Sequence, residues 1–331
     1  MKMTYTVRKQ REKQQGLNKR VLGLLKTNRQ LTAKEIAQRL NANLGDVYKV
    51  LNAMKEMGVV IRDQDTWLYN PIHSTRYVDW DGNLKKLVKL HDSGIFAALI
   101  GPSGTGKTQC VMALAEITEK PIYAVNLSLR TKELHLIGRL DAKDGEIVWK
   151  KGPVPLSMEE GAILYLDEIN QAEPDILIRL DECLDDRREL NFEGQCIKAK
   201  EGWYVCCSMN PLDHPGTKEL PPQILTRFPA RLEFRYPPLH YELQIAKKHV
   251  PSLADSLTDT LERIIECFHK LREGDLPFKP TLRETITAAK LLKEGFTTGE
   301  VLELTVFSSL VQWGRYYKQQ AQEVAHSLDL I

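Results

Sequence analysis

Gly101-Pro102-Ser103-Gly104-Thr105-Gly106-Lys107-Thr108 is the stretch on which the reading of this chain turns. It fits G-x-x-x-x-G-K-[ST], follows an apolar run at 96–100 and precedes a helical pattern, the strand–loop–helix context that the motif requires. Glycines let a backbone wrap a phosphate with its N–H groups pointing inward. A helix starting near Lys107 directs the positive end of its dipole at the anion. In such loops the lysine reaches the β- and γ-phosphates and the hydroxyl after it ligates Mg2+. Gly101, Pro102, Ser103, Gly104, Thr105, Gly106, Lys107, Thr108 and the following Gln109 are therefore the expected nucleotide-binding residues, with ATP and Mg2+ as the expected ligands.

Working outward, strand-like runs at 122–127, 162–166, 203–208 and 231–234 alternate with helical patterns. Such alternation predicts a parallel sheet covered by helices. The run Ile163-Leu164-Tyr165-Leu166-Asp167-Glu168 ends in two adjacent acids. Asp167 is placed to hold Mg2+ with Thr108, and Glu168 to polarise an attacking water as general base. From 241 onward the pattern is helical, with two or three connected helices expected to 328. A helix at 84–91 lies in the connector that precedes the first strand.

Upstream of that connector the order differs. Helical spacing of Leu17, Val21, Leu24 and Leu25 is followed by a short strand at 30–32. Thr32 with Glu35 forms a capping box for a second helix to about 40. A third helix, 44–57, places Leu44, Val47, Leu51 and Met54 on one face and stops at Gly58. Two strand runs, 59–62 and 66–69, flank a polar turn and predict a hairpin. This order resembles a winged helix-turn-helix, with 44–57 as its recognition helix and Asn43, Asp46, Tyr48, Lys49 and Asn52 exposed.

Charge is uneven along the chain. Residues 1–70 hold 14 Lys/Arg against 6 Asp/Glu, a net of +8, whereas the remaining residues carry a net of −6. Lys2, Arg8, Lys9, Arg11, Lys13, Lys19 and Arg20 lie in or beside an N-terminal arm. A basic head suits duplex DNA phosphates; a protein-docking role for the same unit stands beside that reading. No apolar run reaches the ~18–20 residues of a membrane span. No signal-peptide core is legible at the N-terminus, so a cytoplasmic location is expected. The six cysteines show no Cys-x2-Cys spacing and are read as small buried hydrophobes in a reducing compartment.

Asp167-Glu168 after a phosphate loop resembles the Walker B motif of the AAA+ ATPases. The stretch Leu166-Asp167-Glu168-Ile169-Asn170-Gln171-Ala172-x-Pro174 resembles the MoxR group within them, with its CbbQ, NorQ and GvpN types. Further resemblance lies in Leu134-x-x-Ile137-Gly138-Arg139 with Gly145-Glu146-Ile147-Val148-Trp149-x-x-Gly152-Pro153, a helix-2 segment and its inserted hairpin. Ser208-Met209-Asn210-Pro211 is similar to sensor 1, and Gly216-x-x-x-Leu220-Pro221-x-x-Ile224-Leu225-x-Arg227-Phe228 to an arginine-finger helix. The resemblance spans roughly 72–330 and leaves 1–70 outside.

It implies an α/β fold: a P-loop AAA+ parallel sheet flanked by helices, an α-helical lid, and ahead of them the small N-terminal winged-helix domain. The expected divisions are a basic arm at 1–16, the winged helix at 17–71, the nucleotide-binding subdomain at 72–238 and the lid at 239–331. Lys107, Glu168, Asn210, Arg227 and Arg283 become the expected catalytic residues. Asn210 contacts the γ-phosphate or the water within one subunit, Arg227 reaches a neighbouring subunit's site, and Arg283 fits sensor 2. Its Thr281-Leu282-Arg283-Glu284 setting departs from the Ser-Pro-Arg common there. Asn126, ending the second strand, is a candidate to restrain Glu168. Hairpins at 141–153, with Trp149, Lys150 and Lys151, and at 187–200 are candidate client- or ring-facing insertions, and Arg187 and Arg188 are candidates for a subunit interface or a solvated helix end.

ATP hydrolysis by a homo-oligomeric ring, six subunits in the family expectation, follows from the resemblance. The ring would remodel a partner protein, often one with a von Willebrand A domain. The alternative is a DNA-associated motor or switch recruited through residues 1–70.

Overall fold

The computed structural model describes residues 16–28, 30–56, 59–69, 75–143, 146–211 and 217–331. The chain divides into two units, Met1–Arg76 and Tyr77–Ile331. The arm at 1–15, Gly58, the segment 70–74, Gly145 and Gly216 lie outside the described residues.

The first unit runs α1 (16–27), β1 (Leu31–Thr32), α2 (Ala33–Leu40), α3 (Leu44–Glu56), β2 (Val60–Asp63) and β3 (Thr66–Tyr69). The expected capping box is present: the Glu35 N–H donates to the Thr32 hydroxyl at 3.2 Å, and the Thr32 N–H donates to Glu35 Oε2 at 2.7 Å. The antiparallel order β1-β3-β2 seats Trp67 over Val21, Ile36, Val47 and Leu51, one small apolar core. One residue of α3 falls on the other side from its expected place. Leu44 is 36% exposed, and Val50 takes its share of the core. The first turn of a helix has no preceding turn to pack beneath it, so its apolar residue stays at the rim.

The second unit continues with α4 (Asn83–Asp92), β4 (Ala97–Ile100), α5 (Lys107–Thr118), β5 (Ile122–Asn126), α6 (Glu133–Leu136), β6 (Gly138–Lys143), β7 (Glu146–Lys151), α7 (Pro153–Glu160), β8 (Ile163–Asp167), α8 (Pro174–Leu184), β9 (Glu189–Phe192), β10 (Gln195–Lys198), β11 (Tyr204–Met209), α9 (Pro222–Arg227) and β12 (Ala230–Glu233). Five strands pair in parallel in the order β12-β4-β11-β8-β5. Residues 97–99 of β4, 163–166 of β8 and 204–209 of β11 are buried, as strands covered on both faces must be. Phe96, Trp203, Tyr204 and Phe228 close the end of the sheet away from the phosphate loop with edge-to-face and tilted ring contacts.

The order matters for function. β11 lies between β4, which feeds the phosphate loop, and β8, which ends in the two acids. The carboxyl ends of all three strands therefore open on one crevice, where α/β proteins bind ligands.

The helical region holds more helices than the two or three expected. After α10 (Leu239–His249), α11 (Thr258–Glu273) and α12 (Leu282–Lys293) come α13 (Thr298–Leu302), a π-turn at Glu303–Phe307, α14 (Ser308–Leu310) and α15 (Arg315–His326). Short interruptions at 303–307 and 311–313 conceal these breaks from a periodicity reading. One core built on Leu261, Ile265, Phe268, Ala288 and Phe307 joins them.

Candidate nucleotide site

Gly104 and Gly106 take positive φ values of 75° and 95°, which turn the loop between β4 and α5. Three successive carbonyls of that loop are held by side chains. Lys107 Nζ donates to Gly101 O at 2.6 Å and to Pro102 O at 2.8 Å, the Thr105 hydroxyl donates to Pro102 O at 2.9 Å, and the Tyr236 hydroxyl donates to Ser103 O at 2.8 Å. The Lys107 ammonium also donates to Asn210 Oδ1 at 3.1 Å. Burial lowers the Lys107 pKa to about 8, against the opposing pull of Asp167 and Glu168.

Asp167, at the end of β8, meets α5 through Thr108, whose hydroxyl donates to Oδ2 at 3.2 Å. Its other oxygen is occupied from below. Tyr165 OH donates to Oδ1 at 2.9 Å, and the Ser208 hydroxyl of β11 donates to the same atom. Ser208 Oγ in turn accepts the Glu168 N–H at 3.0 Å. Glu168 adopts a left-handed conformation, φ 57°, which turns the chain out of the strand. Gln171 Nε2 donates to Glu168 Oε2 at 2.9 Å, and Asn170 Nδ2 donates to Asn210 O at 2.9 Å.

The structure thus brings Lys107, Thr108, Asp167, Glu168 and Asn210 together. Asn126 stands opposite Asp167 in register, but among the described residues no hydrogen bond joins it to Glu168. The amide that meets Glu168 is that of Gln171, one turn away on the same segment. Arg227, at the end of α9, pairs within its own chain with Asp181 of α8, Nε to Oδ1 at 2.7 Å. Arg283 is exposed in the first turn of α12. That helix is seated on the loop: a Cβ built on Gly104 would lie 2.3 Å from Thr281 Cβ, the cap of α12.

Sequence reasoning missed Tyr165, Ser208 as a partner of Asp167, Gln171 and Tyr236. A tyrosine in a strand otherwise made of aliphatic residues is the one signal that was available, since a buried phenol needs a partner.

Both hairpins form, β6 with β7 and β9 with β10. Trp149 is not a client-facing side chain: it is buried, donates to Ile137 O at 3.1 Å and packs on Phe192. Ile147, 76% exposed, occupies the outer part of the same strand. Arg187 pairs with Asp185 at 2.8 Å, and Arg188 donates to Gly94 O at 3.1 Å with its guanidinium over Phe96. Five cysteines are buried; Cys196, on β10, is exposed, which corrects the reading of all six as buried. No helix among the described residues is long and apolar enough to cross a membrane.

Comparison with known proteins places this geometry among relatives. A family profile described as the AAA domain of the dynein-related subfamily matches residues 97–228. Protein NorQ of Paracoccus denitrificans strain Pd 1222 is 33% identical over 214 residues, which is 64% of this chain and 78% of that protein. The denitrification regulatory protein NirQ of Pseudomonas aeruginosa PAO1 is 32% identical over 220 residues, 66% of this chain and 84% of NirQ.

Proposed function

We propose that this chain, which belongs to the NorQ/NirQ family of MoxR-like AAA+ ATPases, hydrolyses ATP to ADP and phosphate as one subunit of a ring that remodels a partner protein. The observation that carries this reading is the convergence of Lys107, Asn210, Thr108 and Asp167 through hydrogen bonds of 3.1 and 3.2 Å at the ends of three adjacent strands.

Loop residues 101–109 cradle the nucleotide phosphates, and Lys107 carries the cation. Thr108 Oγ1 and an Asp167 oxygen are hard donors of the kind Mg2+ selects, and these two residues would hold it. Bound there, Mg2+ supplies charge neutralisation on the phosphate oxygens. Glu168 takes the proton of a water that attacks the γ-phosphorus, and the bond to the bridging oxygen breaks to release ADP. Asn210 orients that water or a γ-oxygen. Arg283 from the lid and Arg227 from a neighbouring subunit spread the developing charge. A cytoplasmic setting and a von Willebrand A-type client protein belong to this reading.

A second reading rests on the N-terminal unit. The packing of α1 to α3 with the β2–β3 hairpin fits a winged helix-turn-helix, and Asp46, Tyr48, Lys49 and Asn52 line the open face of α3. DNA recruitment through this unit makes the ring a DNA-associated motor. ATP turnover measured with and without duplex DNA at low salt, in the full chain and after deletion of 1–70, separates the two. Stimulation lost with the deletion supports the DNA reading; turnover indifferent to DNA, with no gel shift, removes it. Absence of ATP turnover in the assembled protein overturns the ATPase reading itself.

A further inference from the structure

The most deeply buried charge in the second unit lies outside the site just described. Glu242 on α10 is fully buried. Its carboxylate accepts Arg272 Nη1 at 2.7 Å and Nη2 at 2.8 Å, His269 Nε2 at 2.9 Å, and the Thr285 hydroxyl. Burial pushes this carboxyl up, and the bonds from Arg272, His269 and Thr285 outweigh it and hold it below the ordinary glutamate value. A buried carboxylate persists only with such partners.

Arg272 reaches further. Its Nε donates to Pro280 O at 2.6 Å, just ahead of the Thr281 cap, and its guanidinium stacks 4.4 Å from the centre of the Tyr236 ring. Tyr236, in the segment between β12 and α10, is the residue whose hydroxyl holds the Ser103 carbonyl of the phosphate loop. Contacts therefore run without a gap from Ser103 through Tyr236, Arg272 and Glu242 to Thr285 on α12. Arg283 stands two residues before Thr285, and Thr281 abuts Gly104. The helix that carries Arg283 is tied to the phosphate loop twice, once by direct contact and once through this relay.

We propose that Tyr236 and Arg272 are positioning residues of the nucleotide site: they set the Arg283 helix in register with the phosphate loop, so that nucleotide affinity depends on both. The chemistry suits the role. A phenol that holds the Ser103 carbonyl away from the phosphates leaves the loop amides free to face them. A guanidinium can stack on a ring while forking to a carboxylate; an ammonium cannot do both. The inference rests on the loop being an ATP site.

Binding of a fluorescent ATP analogue, steady-state turnover and thermal unfolding are measured in the full chain for wild type, Tyr236→Phe, Arg272→Lys, Arg283→Ala and the Tyr236→Phe/Arg283→Ala double variant. Tyr236→Phe keeps the ring over Arg272 and loses only the bond to Ser103. It is expected to weaken analogue binding and raise KM for ATP about three- to tenfold, with kcat and the unfolding temperature little changed. Arg272→Lys is expected to move KM in the same direction. In the double variant the effect of Arg283→Ala is expected to shrink, because the relay is already broken. Unchanged affinity in either Tyr236→Phe or Arg272→Lys overturns the proposal, as does strict additivity, or a fall in unfolding temperature without a change in KM. Failure of the wild type to bind the analogue overturns the ATP reading and this inference together; tight binding by wild type and Tyr236→Phe alike overturns this inference alone.

Discussion

Arg227 donates to Asp181 through Nε at 2.7 Å and Nη2 at 3.3 Å, a forked pair that joins α9 to α8 within one chain. The two side chains are 32% and 26% exposed, so solvent screens the pair and its contribution to stability is modest. Asp181 thus holds in place, at little cost to release, the guanidinium proposed to serve a neighbouring site. Arg227→Ala is expected to lower turnover by about 10^3 or more while nucleotide binding persists. Mixing this variant with Glu168→Gln chains should restore part of the turnover, because some interfaces then combine an intact Glu168 with an intact Arg227. Full activity of Arg227→Ala alone, or of wild type diluted to monomers, excludes action between subunits.

Glu168 is held at both ends, its N–H by Ser208 and its carboxylate by Gln171. Glu168→Gln keeps the shape and gives up the basic oxygen. Turnover is expected to fall about 10^2–10^4-fold, with binding of the ATP analogue retained. A wild-type rate in this variant removes Glu168 from the general-base role.

The Lys107 pKa, lowered by burial to about 8, sets a window for affinity. Below that value the ammonium is charged and phosphate binding is at full strength. As pH rises through it the free protein loses the cation, so affinity is expected to drop toward tenfold per unit above pH 8. Lys107→Arg, always charged, should bind more weakly at neutral pH and show a flat profile there. A wild-type profile flat to pH 9.5 contradicts the assignment.

Gly104 combines φ 75° with the methyl-sized contact to Thr281. Gly104→Ala therefore carries backbone strain of about 1–2 kcal/mol and a clash with the cap of α12. Nucleotide affinity and the denaturation midpoint should both fall. Thr281→Gly in the same chain should return part of the loss, since it removes the clash and leaves the strain. No rescue would show that the loop alone, without α12, is sensitive to that methyl.

Glu242→Ala leaves Arg272 buried without its carboxylate and is expected to cost about 3–5 kcal/mol in denaturant unfolding. The same carboxylate sets an acid limit. Its folded pKa is lowered, so its stabilisation is present above the ordinary glutamate value of 4.5 and is lost as pH falls through the lower one. Acid unfolding followed by circular dichroism should begin at higher pH in Glu242→Gln than in wild type.

The loop 101–108, the acid pair 167–168 and the alternation of strands were legible because each is a local pattern: a fixed spacing, or a period of two or 3.6. Asn210 was reached only through the resemblance of Ser208-Met209-Asn210-Pro211 to sensor 1. Tyr236, Arg272 and Glu242 could not. Arg272 and Glu242 lie thirty positions apart on two amphipathic helices, and each reads there as an ordinary surface charge until the helices pack. Trp149 failed for a related reason. Its hairpin was recognised, but which face of a two-stranded ribbon turns inward depends on what lies beneath, here Phe192 from another hairpin. The helix count of the C-terminal region was hidden by a π-turn and a 3-10 turn that keep the chain winding while shifting its faces.

Ser208 and Asn210 leave β11 two residues apart, one bonded to Asp167 and the other to Lys107. A slip of one residue in the pairing of β11 would turn both side chains to the wrong face in a single step. Neither the acids nor the lysine could then keep its partner while the other lost its own. A chain with that strand mispaired would have no half-working site, and catalytic competence should appear in one step with the locking of the sheet rather than grow gradually during folding.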